Sequence, residues 1–379
     1  MITMPWNNST APNLMIEVTD CCNIRCDVCY KRKGGTFKTL ERIERELNTA
    51  FKHRRLHTIT ISGGEPTLHP DLCGIVRLIK SRSLHVFLLT NGTKITADYL
   101  GELKEAGLDS ILYHVDAGQQ RDDLPANPSF DDIKNKLDEL ISIAASLNVD
   151  ASVSMTLYRD RREFARRLTD YFFNYPDLSF LFVARAFDFS CGIASDRNMP
   201  ADTHYSQAAN EFCDYLESEY GIEPYGHIPS ANANHSCWVS FFVPVIYNCK
   251  GISLFRIRSN VSDIWLMKMI RVLTGRYIHK TSQRPFVTFM RVLINAVTSF
   301  EPVDLMRFYS RLFGRNSVLR HKMIVYDDGP FIDEYGRVVS CLYCPTAVVR
   351  DDTIVPCCRE DYDISKGAAY EDSYHRSAL

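Results

Sequence analysis

Leu84-His85-Val86-Phe87-Leu88-Leu89-Thr90-Asn91-Gly92 is the stretch on which the fold turns. It is a nearly continuous apolar run that ends in Asn-Gly, a pair that tolerates the left-handed backbone of a turn. Such a run reads as a strand covered on both faces. Residues 97–106 follow with a helical pattern closed by Gly107, and residues 110–116 read as the next strand. Strand, helix and strand at this spacing make a βαβ unit, whose two strands are parallel.

The same rhythm extends on both sides. Upstream, residues 14–19 read as a strand. Thr39 caps a helix that places Leu40, Ile43, Leu47 and Phe51 on one face, residues 58–62 are β-rich and end in Gly63-Gly64, and residues 71–82 are helical in pattern. Downstream, Ser129 and Asp132 form a capping box ahead of Ile133, Leu137, Leu140, Ile141 and Ala144. Residues 149–158 read as a strand, 162–173 as a helix and 178–185 as a strand. Strands alternating with helices imply an α/β fold on a parallel sheet, either doubly wound or a partial (β/α)6 TIM-like barrel. Its chemistry belongs at the C-terminal strand ends. Beyond residue 190 the rhythm breaks. Residues 191–260 read as mixed and loop-rich, 261–320 as helical, and 325–365 as short strands and turns around cysteines. The expected division is a core over 12–190, a basic and apolar region over 191–324, and a cysteine-rich extension over 325–365.

A chain of 379 residues with 45% hydrophobic and 24% charged residues can bury a full core without disulfides. These figures exclude a mini-protein, a collagen-like chain and a wholly disordered chain. The start shows no basic segment followed by an apolar run, so no signal peptide is expected and the location is read as cytoplasmic. No uncharged apolar run approaches the roughly 18 residues of a membrane span. In that compartment the 13 cysteines stay reduced, and their clusters read as metal sites.

The first cluster follows the first strand: Asp20-Cys21-Cys22-Asn23-Ile24-Arg25-Cys26-Asp27-Val28-Cys29-Tyr30. Cys22, Cys26 and Cys29 form C-x3-C-x2-C. Three thiolates so close on a loop suit one face of an iron–sulfur cubane and leave one iron open. A zinc knuckle or a packed cysteine cluster is the alternative, although structural zinc takes four ligands.

With its other landmarks, the chain resembles the radical S-adenosylmethionine (SAM) enzymes over residues 12–186. Gly63-Gly64-Glu65-Pro66 follows the second strand, Thr90-Asn91-Gly92 the third, Tyr113-His114-Val115-Asp116 closes the fourth, and Ser152 and Ser154 share one face of the fifth. The resemblance implies a [4Fe-4S] cluster on Cys22, Cys26 and Cys29, with the amino and carboxylate groups of SAM on the open iron. Glu65 would accept from the SAM ammonium. Gly63 and Gly64 would let the backbone come close, with Pro66 beside them. Val28, Tyr30, Thr90, Asn91, His114 and Asp116 would line the adenosine pocket, with Ser154 nearby. The family carries a small hydroxyl where this chain has His114, and Asp116 can equally cap the following loop.

Near the C-terminus, Cys341-Leu342-Tyr343-Cys344 precedes Cys357-Cys358, with a hairpin-like turn between them. The segment looks like a reduced SPASM or twitch extension without the full cysteine pattern. Cys341, Cys344, Cys357 and Cys358 are the expected ligands of a second [4Fe-4S] cluster or of zinc, with Cys237 and Cys249 as further candidates. Cys73, Cys191 and Cys213 read as packing residues.

Residues 250–322 hold fourteen Lys/Arg against three Asp/Glu, a local charge of +11 in a chain of −2. Basic flanks on large apolar side chains suit an anionic membrane surface or amphiphile, nucleic-acid phosphates, or core helices with solvated edges. No nucleic-acid motif accompanies them.

The resemblance therefore implies reductive cleavage of SAM to a 5′-deoxyadenosyl radical, which abstracts hydrogen from a substrate. That substrate is a hydrophobic or anionic, lipid-like molecule, another small molecule, or a peptide undergoing maturation. A flavodoxin, ferredoxin or reductase would supply the electron, and peripheral membrane contact fits the basic segment. The reading from another class is a non-catalytic iron–sulfur or zinc protein acting at a membrane surface.

Overall fold

The computed structural model describes residues 1–29, 31, 34–158, 161–186, 207–230, 236–277, 285–299, 302–332 and 338–358. Six strands follow one another: β1 (Asn13–Glu17), β2 (Thr58–Ser62), β3 (His85–Thr90), β4 (Ser110–His114), β5 (Asp150–Leu157) and β6 (Leu178–Arg185). Each pairs in parallel with the next. The crossovers are α1 (Leu40–His53), α2 (Leu72–Lys80), α3 (Ala97–Ala106), α4 (Phe130–Ser146) and α5 (Arg162–Asn174).

Local chemistry sets these boundaries. Thr39, Asp71 and Thr96 each accept a backbone N–H at the start of α1, α2 and α3. Ser129 and Asp132 close a full capping box on α4, and Gly107 ends α3 at φ +112°, a backbone state that favours glycine. Strand residues alternate between two layers. Val86 and Leu88 of β3 pack with the helices, while Phe87 faces an inner cluster with Leu112 and Phe180.

The loop-rich expectation for 191–260 is corrected over its described residues, 207–230 and 236–260. After α6 (Gln207–Tyr220) come β7 (Gly226–Pro229), β8 (Ser236–Asn248) and β9 (Gly251–Leu254). The helical region is α7 (Val261–Thr274), α8 (Pro285–Thr298) and α9 (Pro302–Leu312), followed by β10 (Val318–Asp327). Strand β10 pairs in parallel with β6, and β8 lies antiparallel to β10 from Trp238↔Asp327 to Tyr247↔Val318. Among the described residues the sheet thus continues past residue 190 and has eleven strands, with Ile2–Thr3 at one edge and β1 at the other. Strand β8 escaped detection because its apolar run has no two-residue period and contains Pro244. Besides its near neighbours β7 and β9, it pairs with β10 some 80 residues further along.

Lys322, fully buried on β10, fastens this addition to the core. Its Nζ donates to the carbonyl oxygens of Phe172 (2.8 Å), Tyr175 (2.7 Å) and Leu178 (2.6 Å). These acceptors include the carbonyl end of α5, where a cation is favoured. Burial pushes the ammonium pKa well below its usual value, the Arg320 charge adds to that shift, and Asp177 and Asp150 oppose it.

The C-terminal segment forms a hairpin, β11 (Ala347–Arg350) and β12 (Thr353–Pro356), turning through Asp351 at φ +46°. It packs on β1 through Met15, Val348, Val355 and Cys357. Asn13 Nδ2 donates to Pro345 O (2.8 Å), and Arg54 Nη1 to Cys344 O (2.8 Å). Residues 359–365 of the expected extension lie outside the described residues. Among the described residues no helix is long and apolar enough to cross a membrane.

Candidate functional site

The parallel strands of the core end at one pocket. The loop after β1 brings Cys22, Cys26, Val28 and Cys29, and β2 leads to Gly63, Gly64 and Glu65. Strand β3 leads to Thr90 and Asn91, β4 to His114, and β5 supplies Ser154 and Thr156. The opposite wall holds Phe182 and Arg185 of β6, Asp327 of β10, and Cys357 and Cys358 beyond the hairpin.

The cysteine loop is held by polar contacts. Asp20 accepts from Thr36 N (2.6 Å) and Thr36 Oγ1 (2.7 Å), which pins the ends of the loop together. The Thr36 backbone bond leads the causes that hold the Asp20 carboxyl below its usual pKa. Asn23 donates to Thr93 Oγ1 (2.7 Å) and accepts from Asn91 Nδ2 (2.9 Å). Arg25–Cys26 pairs antiparallel with Gln119–Gln120, and Asp27 N donates to Gly118 O (2.8 Å).

The two glycines serve this loop. Gly64 N donates to Thr19 O (2.8 Å) and Glu65 N to Cys21 O (2.7 Å). A Cβ on Gly63 would strike Thr19 O, and one on Gly64 would strike Cys21 O. Their lack of a side chain is therefore required by close packing against the cysteine loop.

Glu65 also has a clear local task. Its carboxylate is almost fully buried. Oε1 accepts from Thr67 N (3.0 Å), Thr67 Oγ1 (2.5 Å) and Thr90 Oγ1 (2.6 Å), while Oε2 accepts from Asn91 N (2.7 Å). One side chain thus ties the end of β2 to the end of β3. Burial raises its pKa, and the four donors work against that rise. A carboxylate has about four acceptor positions, so Oε2 retains capacity for an incoming ammonium.

The remaining expected residues divide. His114 shares a hydrogen bond with Ser154 Oγ through Nδ1 (3.0 Å), and both line the pocket. Pro66 and Asp116 are not among the pocket's lining residues. Pro66 starts a short 3-10 turn, and Asp116 accepts from Gly118 N (2.8 Å) and Thr156 N (3.3 Å). Asp116 therefore shapes the loop that pairs with the cysteine loop. Tyr30 and Cys191 lie outside the described residues.

The C-terminal cysteines also divide. The thiols of Cys237, Cys341 and Cys344 form a hydrogen-bonded chain inside the inner apolar cluster. Mutual hydrogen bonding and burial push the Cys341 and Cys344 thiols well above their usual pKa. Cys357 instead lies against Glu17, 3.7 Å from its Oε1, and Glu17 is ion-paired with Lys31. Cys249 is exposed. The four expected ligands are therefore distributed between the interior and the pocket wall, because β8 brings Cys237 to Cys341 while β12 carries Cys357 toward β1.

Sequence reasoning missed Asp20, Asn23, Arg121, Arg185 and Asp327. Arg121 donates to Asn91 O (3.0 Å) and Gln119 Oε1 (2.8 Å) and supports the turn after β3. Arg185 stands at the end of a recognised strand, a position that could have marked it. Asp327 required knowledge of β10. Its carboxyl is raised to about 6 by burial.

Among the described residues no group of three His, Cys, Asp or Glu stands in a metal-ligating arrangement. The chemistry of the first triplet nevertheless fits a soft iron–sulfur cluster: three thiols on one loop at the wall of one pocket.

Residues 16–156 match the family model of the Radical SAM superfamily. A tungsten-containing aldehyde ferredoxin oxidoreductase cofactor-modifying protein of Pyrococcus furiosus is 35% identical over 107 residues, 27% of this chain and 30% of that protein. A probable GTP 3′,8-cyclase of Pyrococcus horikoshii is 38% identical over 108 residues, 27% of this chain and 34% of the cyclase. The chain thus spans about a third of the length of these curated relatives. Among solved structures, Streptococcus suis SuiB bound to precursor peptide SuiA is similar at 15% identity and a TM-score of 0.40, over 56% of this chain and 47% of SuiB. Over residues 16–156, somewhat more than a third of its length, this chain thus carries a match to the Radical SAM superfamily.

Proposed function

We propose that this protein is an enzyme that binds a [4Fe-4S] cluster on Cys22, Cys26 and Cys29, cleaves SAM reductively, and starts the reaction of a substrate by hydrogen abstraction. The observation that carries the reading is the convergence of that triplet with Gly63-Gly64-Glu65, Thr90-Asn91 and Ser154 at the ends of successive parallel strands. When bound, the cluster and SAM would supply the one-electron chemistry of the reaction.

The chain's residues do the positioning. Asp20 and Asn23 fix the cysteine loop against its neighbours, and Gly63 and Gly64 let that loop lie flat on the end of β2. Glu65 orients Thr90 and Asn91 and offers Oε2 to the ammonium of SAM. His114 and Ser154 form a paired polar edge, while Met15, Ile24, Leu89 and Met155 exclude water from the cleft. The opposite side, lined by Phe182, Asp327 and an Arg185 that is ion-paired with Asp328 at 3.1 Å, is left for the substrate.

The three interior thiols, Cys237, Cys341 and Cys344, fit a second soft metal by donor type. We assign them, with Cys358, to an auxiliary iron–sulfur cluster or to zinc. The test of the main reading is 5′-deoxyadenosine formation from SAM with dithionite in anaerobically reconstituted protein. Wild type forms it and Cys26→Ala does not. Equal formation by Cys26→Ala overturns the proposal.

A further inference from the structure

Helix α7 presents an apolar stripe to solvent. Val261, Trp265, Met269 and Val272 recur at helical spacing and are 64%, 70%, 52% and 83% exposed, with Leu273 beside them at 76%. Soluble chains place single apolar residues outside without consequence, but a continuous stripe marks an interaction surface. The helix is anchored from its other side. Asn260 caps it, Gly275 closes it at φ +77°, Asp263 is buried beneath it, and Met267 packs on the inner cluster.

Charge narrows the partner. Exposed Lys268 and Arg271 flank the stripe. The one carboxylate of the helix, Asp263, points inward toward Arg291 Nε at 3.9 Å. The solvent face of α7 is therefore apolar and cationic, with no exposed acid. The two nearby helices repeat the theme, with Phe286 and Val297 exposed on α8 and Met306 exposed beside Arg307 on α9. A second copy of the chain would set one cationic face against another. An anionic bilayer offers both complements, headgroup charge for the bases and an acyl boundary for the stripe.

We propose that α7 docks this protein on the surface of an anionic lipid bilayer, with Trp265, Met269 and Val272 entering the headgroup boundary and Lys268 and Arg271 meeting lipid phosphates. This proposal is independent of the reaction assigned above. The pocket residues take no part in it.

The fold supplies a reporter. Of the three tryptophans, Trp6 and Trp238 are buried and Trp265 is exposed, so a change in emission on binding reads α7. The full chain is mixed with vesicles of equal parts phosphatidylglycerol and phosphatidylcholine, and with phosphatidylcholine vesicles alone. The expected result is co-sedimentation and a blue shift with the anionic vesicles, both weakened by salt. Lys268→Ala with Arg271→Ala should weaken binding on the order of thirtyfold, at roughly fivefold per charge. Val272→Ser with Leu273→Ser should remove the blue shift while leaving iron loading and circular dichroism unchanged. Absence of binding by the folded full chain overturns the proposal. So does binding that these variants leave intact, or a dimer in solution that Val272→Ser dissolves.

Discussion

The two cysteine regions of this protein are held in opposite ways. The loop after β1 keeps Cys22 and Cys26 half-buried and Cys29 exposed, and polar staples from Asp20, Asn23 and Glu65 fix its surroundings. The C-terminal thiols of Cys341 and Cys344 are buried in an apolar cluster with Cys237. An accessible thiol on a polar loop can accept a cluster that must meet a substrate. A thiol buried among Trp238, Tyr225 and Ile228 is shut off from solvent and suits a structural or electron-storing metal. Under the proposed assignment, removing thiols from the first region should end SAM cleavage, while removing them from the second should alter metal content and stability first.

The largest effect expected is from Cys26→Ala, which should abolish SAM cleavage, since in the proposed assignment it removes a ligand of the cofactor that carries the chemistry. Retention of fold, checked by circular dichroism, would separate this from collapse. Gly64→Ala comes next. Its Cβ would meet Cys21 O, so the cysteine loop must shift, and a loss of about 2 kcal/mol in stability is expected from chemical denaturation. If Gly64→Ala folds and binds iron as wild type does, the packing role of the glycine is wrong.

Cys341→Ala with Cys344→Ala should reduce metal content without removing the iron of the first site. Unchanged metal content in that variant would make the interior thiols packing residues and sharpen the contrast in a different direction. The last expected effect concerns pH, and it is gradual. Burial, with help from the Arg291 charge, lowers the His321 pKa from 6.5 to about 3, and Phe242 packs on its ring. Between those values the unfolded chain binds a proton that the folded chain refuses. Stability should therefore fall as pH drops below about 6.5, at up to about 1.4 kcal/mol per pH unit. His321→Leu should flatten this slope in denaturation curves taken from pH 7 to pH 4. An unaltered slope would show that other groups set it.

The sequence was most informative where local chemistry decides structure. The Ser129–Asp132 box, the stop at Gly107 and the apolar runs ending at Ser62 and Thr90 depend on neighbours within a few residues. Strands β8 and β10 depend on pairing across some 80 residues, and their patterns have no clear period. The site follows the same division. The cysteine triplet and the Gly-Gly-Glu turn are visible as short motifs. The reason for Gly63 and Gly64 is not, because it lies in the carbonyl oxygens of Thr19 and Cys21. Asp116, for which the sequence left both a pocket place and a loop cap open, accepts from the loop at Gly118, and Pro66, the last residue of the Gly-Gly-Glu-Pro motif, starts a short turn.

The central claim is that the thiols of the first loop, and not those of the interior, support SAM cleavage. It is tested most directly by measuring iron, sulfide and 5′-deoxyadenosine in the same reconstituted samples of wild type, Cys22→Ala/Cys26→Ala/Cys29→Ala and Cys341→Ala/Cys344→Ala. The account predicts deoxyadenosine from wild type, none from the triple variant, and measurable turnover from the interior variant. Deoxyadenosine from the triple variant at the wild-type rate, or none from iron-loaded wild type, would contradict it.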